Sequence, residues 1–352
     1  MTSADHPASS PPDHAATHAQ DRTARYRAAA LLALALGGCT RAPTPVAPVA
    51  SPPESAASAV EGGGTVPATS SAPASAGPTS GDFPRAAAGP APLTLTYLGV
   101  AGWTVSDDHH AVAIDPYLSR PRLAPGVPIV PDEAAIAARI PAKLDLIVIG
   151  HSHVDHVLDA PAVARRTGAS VMGSLSTANY ARAAGLPAEQ VIPIKGGEDY
   201  AFDGFSVRVL PGLHSALDDK HTMGAHELIP ASGRPPTTMA QFAEGGTFNY
   251  LLRMGGRQLL VIGSANYIER EMEGLRPDIA IVAVGLRQEI YDYTCRLMRA
   301  LGNPPLVLTN HFDAWTKPAT EPLDPDTLAD LEAFTAEVHA CAPDTRVVVP
   351  RP

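Results

Sequence analysis

Three imidazoles and a carboxylate fall within the six residues His151-Ser152-His153-Val154-Asp155-His156. An extended backbone sends alternate side chains to one side, so His151 and His153 can face one ion. Where the chain then bends, Asp155 and His156 can face a second. Mixed nitrogen and oxygen donors suit a borderline-soft cation such as zinc, bound as one or two ions, and manganese or iron is also compatible with them. An ion held by neutral histidines keeps its charge and acidifies water near neutral pH. Water activated in that way attacks a carbonyl or a phosphorus without a Ser or Cys nucleophile. Asp155 is the catalytic candidate, placed to orient that water or to accept its proton.

The elements that must position these groups alternate between strand and helix patterns. The alternating run Leu93 to Leu98 reads as a half-buried strand. Gly99, Gly102 and Trp103 then lead to a second strand, Ala111 to Ile114, which ends at Asp115-Pro116. A helix is expected around Asp132 to Ala138, and the apolar run Leu144 to Ile149 delivers the histidine motif. Helices over Asp159 to Arg166 and Thr177 to Ala184 flank a strand at Ser170 to Met172. Strands follow around Val191 to Ile194 and Phe205 to Leu210, the latter running into Pro211-Gly212-Leu213-His214. Thr247 to Arg253 and Gln258 to Ile262, split by Gly255-Gly256, form a hairpin. Beyond it come a strand at Ile279 to Val284, a helix from Ile290 to Leu301 and a strand at Leu306 to Leu308. A helix from Thr327 to His339 and a strand at Arg346 to Val349 complete the chain. Two batches of strands, each ending in strand–helix alternation, suggest two sheets packed face to face with helices outside.

The ordered residues resemble the metallo-β-lactamase superfamily of metal-dependent hydrolases. The likeness rests on Asp115 after an early strand, the complete motif from His151 to His156, then His214 and His311 at strand ends, in that order. It covers essentially all of residues 93–352. The resemblance implies an α/β fold, an αββα sandwich of two mixed β-sheets with outer helices and the metals at one edge. It also implies that His151, His153 and His214 hold one ion and Asp155, His156 and His311 a second. Asp115 would accept a proton from a ligand histidine and fix its ring. Ala113-Ile114-Asp115-Pro116-Tyr117-Leu118 looks most like the branch containing ascorbate-6-phosphate lactonase and the phospholipase D acting on N-acyl ethanolamine lipids. Glu244-Gly245-Gly246-Thr247 is similar to the stretch before the Gly-Asp hairpin of that branch.

One position departs from the pattern. Where the family has Gly-Asp, this chain reads Ile262-Gly263-Ser264-Ala265-Asn266. Ser264, neutral and a weak ligand, stands in place of the carboxylate that would bridge two ions. Without a shared anion the repulsion between two divalent cations is less offset, so the second site is expected to be weaker. Asn266 and Asp313 are the nearby groups that could compensate, although no spacing rule supports either. The expected activity is hydrolysis of a small ester, lactone or phosphodiester. The alternatives are a β-lactam hydrolase, or a metal- or ligand-binding protein without turnover if Ser264 marks a degenerate site. His221 and His226, in the polar stretch Asp218 to Glu244, read as solvated loop residues, His109 and His110 as a surface turn, and Trp103 and Tyr117 as packing.

Residues 1–39 read as a lipoprotein signal with an atypical polar leader. Arg22, Arg25 and Arg27 precede the apolar run Ala28 to Leu36, which is too short to span a bilayer. The following Leu36-Gly37-Gly38-Cys39 resembles a bacterial lipobox, with Cys39 the lipidated residue. Residues 40–92, rich in Pro, Ala and Ser, then form a disordered tether to the hydrolase domain at 93–352. The expectation is an exported protein held at a membrane through its lipid. In an oxidising compartment Cys295 and Cys341 either pair or remain two thiols, and their separation cannot be read from sequence. A net charge of -10 and a pI near 5.7 leave no electrostatic footprint for nucleic acid. A small-molecule substrate is the expected partner, and nothing in the sequence addresses the oligomeric state.

Overall fold

The computed structural model describes residues 91–217, 228–231 and 233–352. Cys39, the leader and nearly all of the tether lie outside the described residues, as do His221 and His226. The first sheet has six strands in chain order, β1 (Thr94–Gly99), β2 (Gly102–Ser106), β3 (Ala111–Ile114), β4 (Leu146–Val148), β5 (Ser170–Gly173) and β6 (Val191–Pro193). The first three strands pair antiparallel and the rest run parallel to β3. The second sheet runs in the order β13 (Arg346–Val348), β12 (Leu306–Asn310), β11 (Ile279–Ala283), β10 (Arg257–Ile262), β9 (Phe248–Met254), β8 (Phe205–Pro211), β7 (Asp199–Ala201). It too is antiparallel from β7 to β10 and parallel from β10 to β13. These are the two mixed sheets of the expected αββα sandwich.

Two strands were not separable from turns in the sequence. The run β2, Gly-Trp-Thr-Val-Ser, opens on a glycine only two residues after β1, and β7 is short and edge-exposed. Pairing with neighbours, not intrinsic preference, defines both.

Alternation explains the layers. In the chain around β4, Leu146 and Val148 join the core between the sheets, while Ile147 and Ile149 pack on the helix side. The helices on that side are α1 (Glu133–Arg139), α2 (Val154–Val157), α3 (Ala160–Thr167) and α4 (Leu175–Ala183). Leu146 is fully buried, so truncation to Ala would cost about 2–5 kcal/mol. Local signals set the helix ends. Asp132 caps α1 by accepting from Ala134 N and Ala135 N, and α3 stops at Gly168, whose φ of 80° is the left-handed conformation that glycine adopts freely.

The second sheet carries α5 (Glu269–Met272), α6 (Tyr293–Leu301) and α7 (Pro325–Cys341). Asp324 caps α7 with Pro325 in its first turn. Cys295 on α6 and Cys341 at the end of α7 form a disulfide with Cα atoms 5.5 Å apart, which settles the question the sequence left open. Arg287, 2% exposed, also ties this layer together through Asp330, Glu337 and the Val284 carbonyl. Among the described residues no helix is long and apolar enough to cross a membrane.

Candidate metal centre

The candidate ligands gather beyond the carboxyl ends of strands, where an open α/β sheet leaves its crevice. Asp115 follows β3, His151 follows β4, His214 follows β8 and His311 follows β12. Two groups of three result, His151 with His153 and His214, and Asp155 with His156 and His311. Within each group the ligand atoms lie within 4.8 Å of one another. All six predicted ligands are therefore placed together.

In the first group His151 Nε2 lies 3.1 Å from His153 Nδ1, which is 3.1 Å from His214 Nε2. Each ring presents one nitrogen to a common point. His214 is oriented by its other nitrogen, Nδ1, which lies 2.9 Å from the Ser215 carbonyl; an Nδ1–H there leaves Nε2 as a lone pair. Burial pushes His153 down to about 4, with His156 and His311 adding to that and Asp155 opposing it. Burial and the neighbouring rings hold His151 and His214 well below the ordinary histidine value. All three are thus neutral at physiological pH, as ligands must be.

In the second group His156 Nε2 is 3.2 Å from His311 Nε2, and Asp155 Oδ2 is 3.4 Å from His311 Nε2 and 3.8 Å from His156 Nε2. The motif's bend is the short helix α2, with His153 at its N-cap and Asp155 in its first turn. Burial alone would raise the Asp155 carboxyl. His156, His311 and His153 reverse that and keep it well below the usual carboxylate range. Burial also works against protonation of His156, but Asp115 and Asp155 outweigh it and raise the ring's pKa.

Asp115 takes the role that the resemblance implied. Its Oδ2 lies 2.9 Å from His156 Nδ1, and its Oδ1 accepts from Gly150 N at 2.6 Å. Two glycines make room for it, since a Cβ at Gly150 or Gly263 would sit 3.0 or 2.9 Å from Asp115 Oδ2. The sequence marks Gly263 only as the glycine of the Gly-Asp position and does not mark Gly150, because the need for both comes from this close approach.

Ser264 lies at the end of β10 but is committed elsewhere. Its Oγ accepts from Ser215 N at 2.8 Å and lies 2.9 Å from Ser215 Oγ. Asn266 donates to the His214 carbonyl and accepts from Tyr267 N. Asp313 is engaged by Tyr97, Val100 and Arg120. Neither of the two compensating residues considered in the sequence supplies a bridging oxygen; both buttress ligand-bearing loops.

The donor set fits a divalent metal. Three neutral imidazoles, one buried and two half-buried, point at one another, with charges on neighbouring rings disfavouring protonation of His151, whose Nδ1 is buried without a hydrogen-bond partner. A cation at the shared point satisfies lone pairs that protons cannot.

Fold and donor set together define an αββα sandwich with a candidate metal centre at one edge. The beta-lactamase superfamily domain matches residues 94–308. The chain belongs to that superfamily and is one of its metal-dependent hydrolases. A metal-dependent hydrolase of Methanopyrus kandleri is 26% identical over 263 residues, covering 74% of this chain and 97% of that protein. A metallo hydrolase from Ignicoccus hospitalis shares 21% identity at a TM-score of 0.49, over 74% of this chain and 95% of the other. The diiron beta-hydroxylase CmlA from Streptomyces venezuelae shares the fold at 17% identity and a TM-score of 0.50, over 74% of this chain and 53% of its own.

Proposed function

We propose that this hydrolase cleaves a small ester, lactone or phosphodiester, and that it does so outside the cytoplasm, tethered to a membrane through lipidated Cys39. The observation that carries the chemistry is the pair of abutting triads, one of three neutral imidazoles and one containing a carboxylate. Zinc best matches these donors. A bound divalent cation supplies Lewis acidity, acidifying water and polarising the oxygen that gains charge. His151, His153 and His214 would hold it without neutralising it. Asp155 remains a carboxylate and accepts a hydrogen bond from the attacking water, so it orients that water better than it removes its proton. Asp115 keeps the His156 ring from turning.

Because Ser264 is spent on Ser215, Asp155 is the one anionic ligand of the second triad among the described residues. Without a shared anion to offset the repulsion between two cations, the second ion binds more weakly than it would in a bridged pair. The leader around Cys39 supports export and tethering, and the disulfide between α6 and α7 is compatible with an oxidising compartment. The Asp115-Pro116-Tyr117 phrase supports the lactonase and phospholipase branch.

The test is metal content per chain of wild type and Ser264→Asp, with turnover of a lactone, an aryl ester, a bis-aryl phosphodiester and a chromogenic cephalosporin. One ion in wild type, two in the variant, and hydrolysis of one of the first three substrates is the expected result. Metal retained with no hydrolysis of any substrate sinks the reading, and cleavage of the cephalosporin alone replaces it with β-lactam hydrolysis. For the tether, radiolabelled palmitate should enter wild type and not Cys39→Ser.

A further inference from the structure

The second triad takes its last histidine from an unusual piece of backbone. His311 has φ 51° and Val100 φ 55°, both in the left-handed region where a side chain with a Cβ costs about 1–2 kcal/mol. The two residues face each other, with His311 N donating to Val100 O at 2.7 Å. The hairpin that presents Val100 is itself held by Asp313. Asp313 Oδ1 accepts from Val100 N at 2.7 Å and lies 2.5 Å from the Tyr97 hydroxyl, which is also 3.0 Å from Val100 O. Asp313 Oδ2 accepts from Arg120 Nη2 at 2.6 Å, in a pair whose side chains are 5% and 7% exposed. The other arm of that guanidinium donates to Ala314 O and Lys317 O, so the segment after His311 is fastened to the same knot. Asp313 is two residues from His311, is absent from both ligand groups, and is bound on both oxygens.

We propose that Asp313 is the positioning residue of the second metal triad. It holds Val100 in its strained conformation, Val100 fixes the His311 backbone, and the His311 ring is thereby kept in line with Asp155 and His156. Tyr97 and Arg120 serve as its supports. The inference rests on the hydrolase reading of the two triads. With Ser264 in place of a bridging carboxylate, the described residues offer the second ion three ligands, so its affinity follows how well His311 is preorganised.

The experiment titrates the metal-free full chain with cobalt and with zinc against a chromophoric chelator, comparing wild type with Tyr97→Phe and Asp313→Asn. Hydrogen exchange of the peptides containing Val100 and His311 is followed in the same proteins without metal. Tyr97→Phe leaves the Arg120 pair intact and is the gentler variant. Val338→Ala, fully buried on α7, serves as a destabilised control. The expected result is a second-ion affinity at least tenfold weaker in both variants, a first-ion affinity within twofold, altered cobalt absorption for the second ion only, and faster exchange at His311. Equal weakening of both ions, as in the control, reduces Asp313 to a stabilising residue and overturns the proposal. So does an unchanged second-ion affinity, or a wild type that takes one ion at any zinc concentration. In that last case turnover at the first triad still stands, whereas metal binding split as expected with no turnover would remove the hydrolase reading alone.

Discussion

Asp115 and His156 meet through a 2.9 Å contact between a carboxylate oxygen and Nδ1, with side chains 1% and 0% exposed. A hydrogen on Nδ1 is thereby favoured, and Nε2 is left as a lone pair beside Asp155 and His311. Asp115→Asn presents an amide that can donate to Nδ1 and so move the hydrogen to Nε2. Second-ion affinity should fall about 10–100-fold, read by chelator competition. Gly263→Ala, whose new Cβ would crowd Asp115 Oδ2, should shift affinity in the same direction without removing any ligand. Unchanged affinity in both variants would contradict the role given to Asp115.

The buried histidines make the metal-free protein acid-sensitive. His153 is pushed down from 6.5 to about 4, and His151 and His214 shift in the same direction. Between those two values the unfolded chain takes up protons that the folded chain refuses. Each such group therefore removes up to ~1.4 kcal/mol per pH unit as pH falls below 6.5. His156, raised by Asp115 against its burial, and Asp159, pushed up to about 6 by burial, work the other way but are two groups against three. Urea unfolding in chelator should show lower stability at pH 5 than at pH 7.5, and equal midpoints would refute the assignment of neutral rings.

Reducing the Cys295–Cys341 disulfide should weaken the α6–α7 layer without touching the ligands. The bridge spans 46 residues, and the chain-entropy estimate for such a loop is about 4 kcal/mol. Cys341→Ser should lower the melting temperature while leaving metal content and KM unchanged. A fall in metal content would show that this layer supports the site more directly than its position suggests.

Arg287→Leu should be costlier than its distance from the metal centre suggests. The guanidinium is 2% exposed and serves Asp330 and Glu337, so its removal takes the cationic partner from both, although Asp330 still accepts from Gln288 and Glu337 from Thr294. A loss of about 3–5 kcal/mol is the upper expectation, moderated because Glu337 is 40% exposed. Denaturant midpoints measure it, with kcat as the control that should not move.

The six candidate ligands are legible because their chemistry is local. The motif from His151 to His156 carries its own spacing, and His214 and His311 sit where apolar runs end, which is where strands deliver side chains. Asp115 was legible for the same reason. What stayed hidden depends on contacts between distant segments. The hydroxyl of Ser264 reads as a lost ligand in sequence, and only the fold shows it spent on Ser215, 49 residues away. Asp313 and Tyr97 are 216 residues apart and have no shared pattern until two loops meet. The strand β2 was missed because its glycine and tryptophan look like the turn they follow, yet pairing with β1 and β3 makes it the centre of a meander.

Each triad draws its ligands from both sheets. His153 and His214 are separated by 61 residues of chain, and His156 and His311 by 155. An ion in either position is therefore a removable cross-link between two halves of the sandwich, closing large loops as a disulfide does, but at a strength set by the surroundings. For every tenfold rise in free metal above the dissociation constant, the folded form gains about 1.4 kcal/mol. The free metal concentration around the protein would then govern how long it survives as well as how fast it turns over.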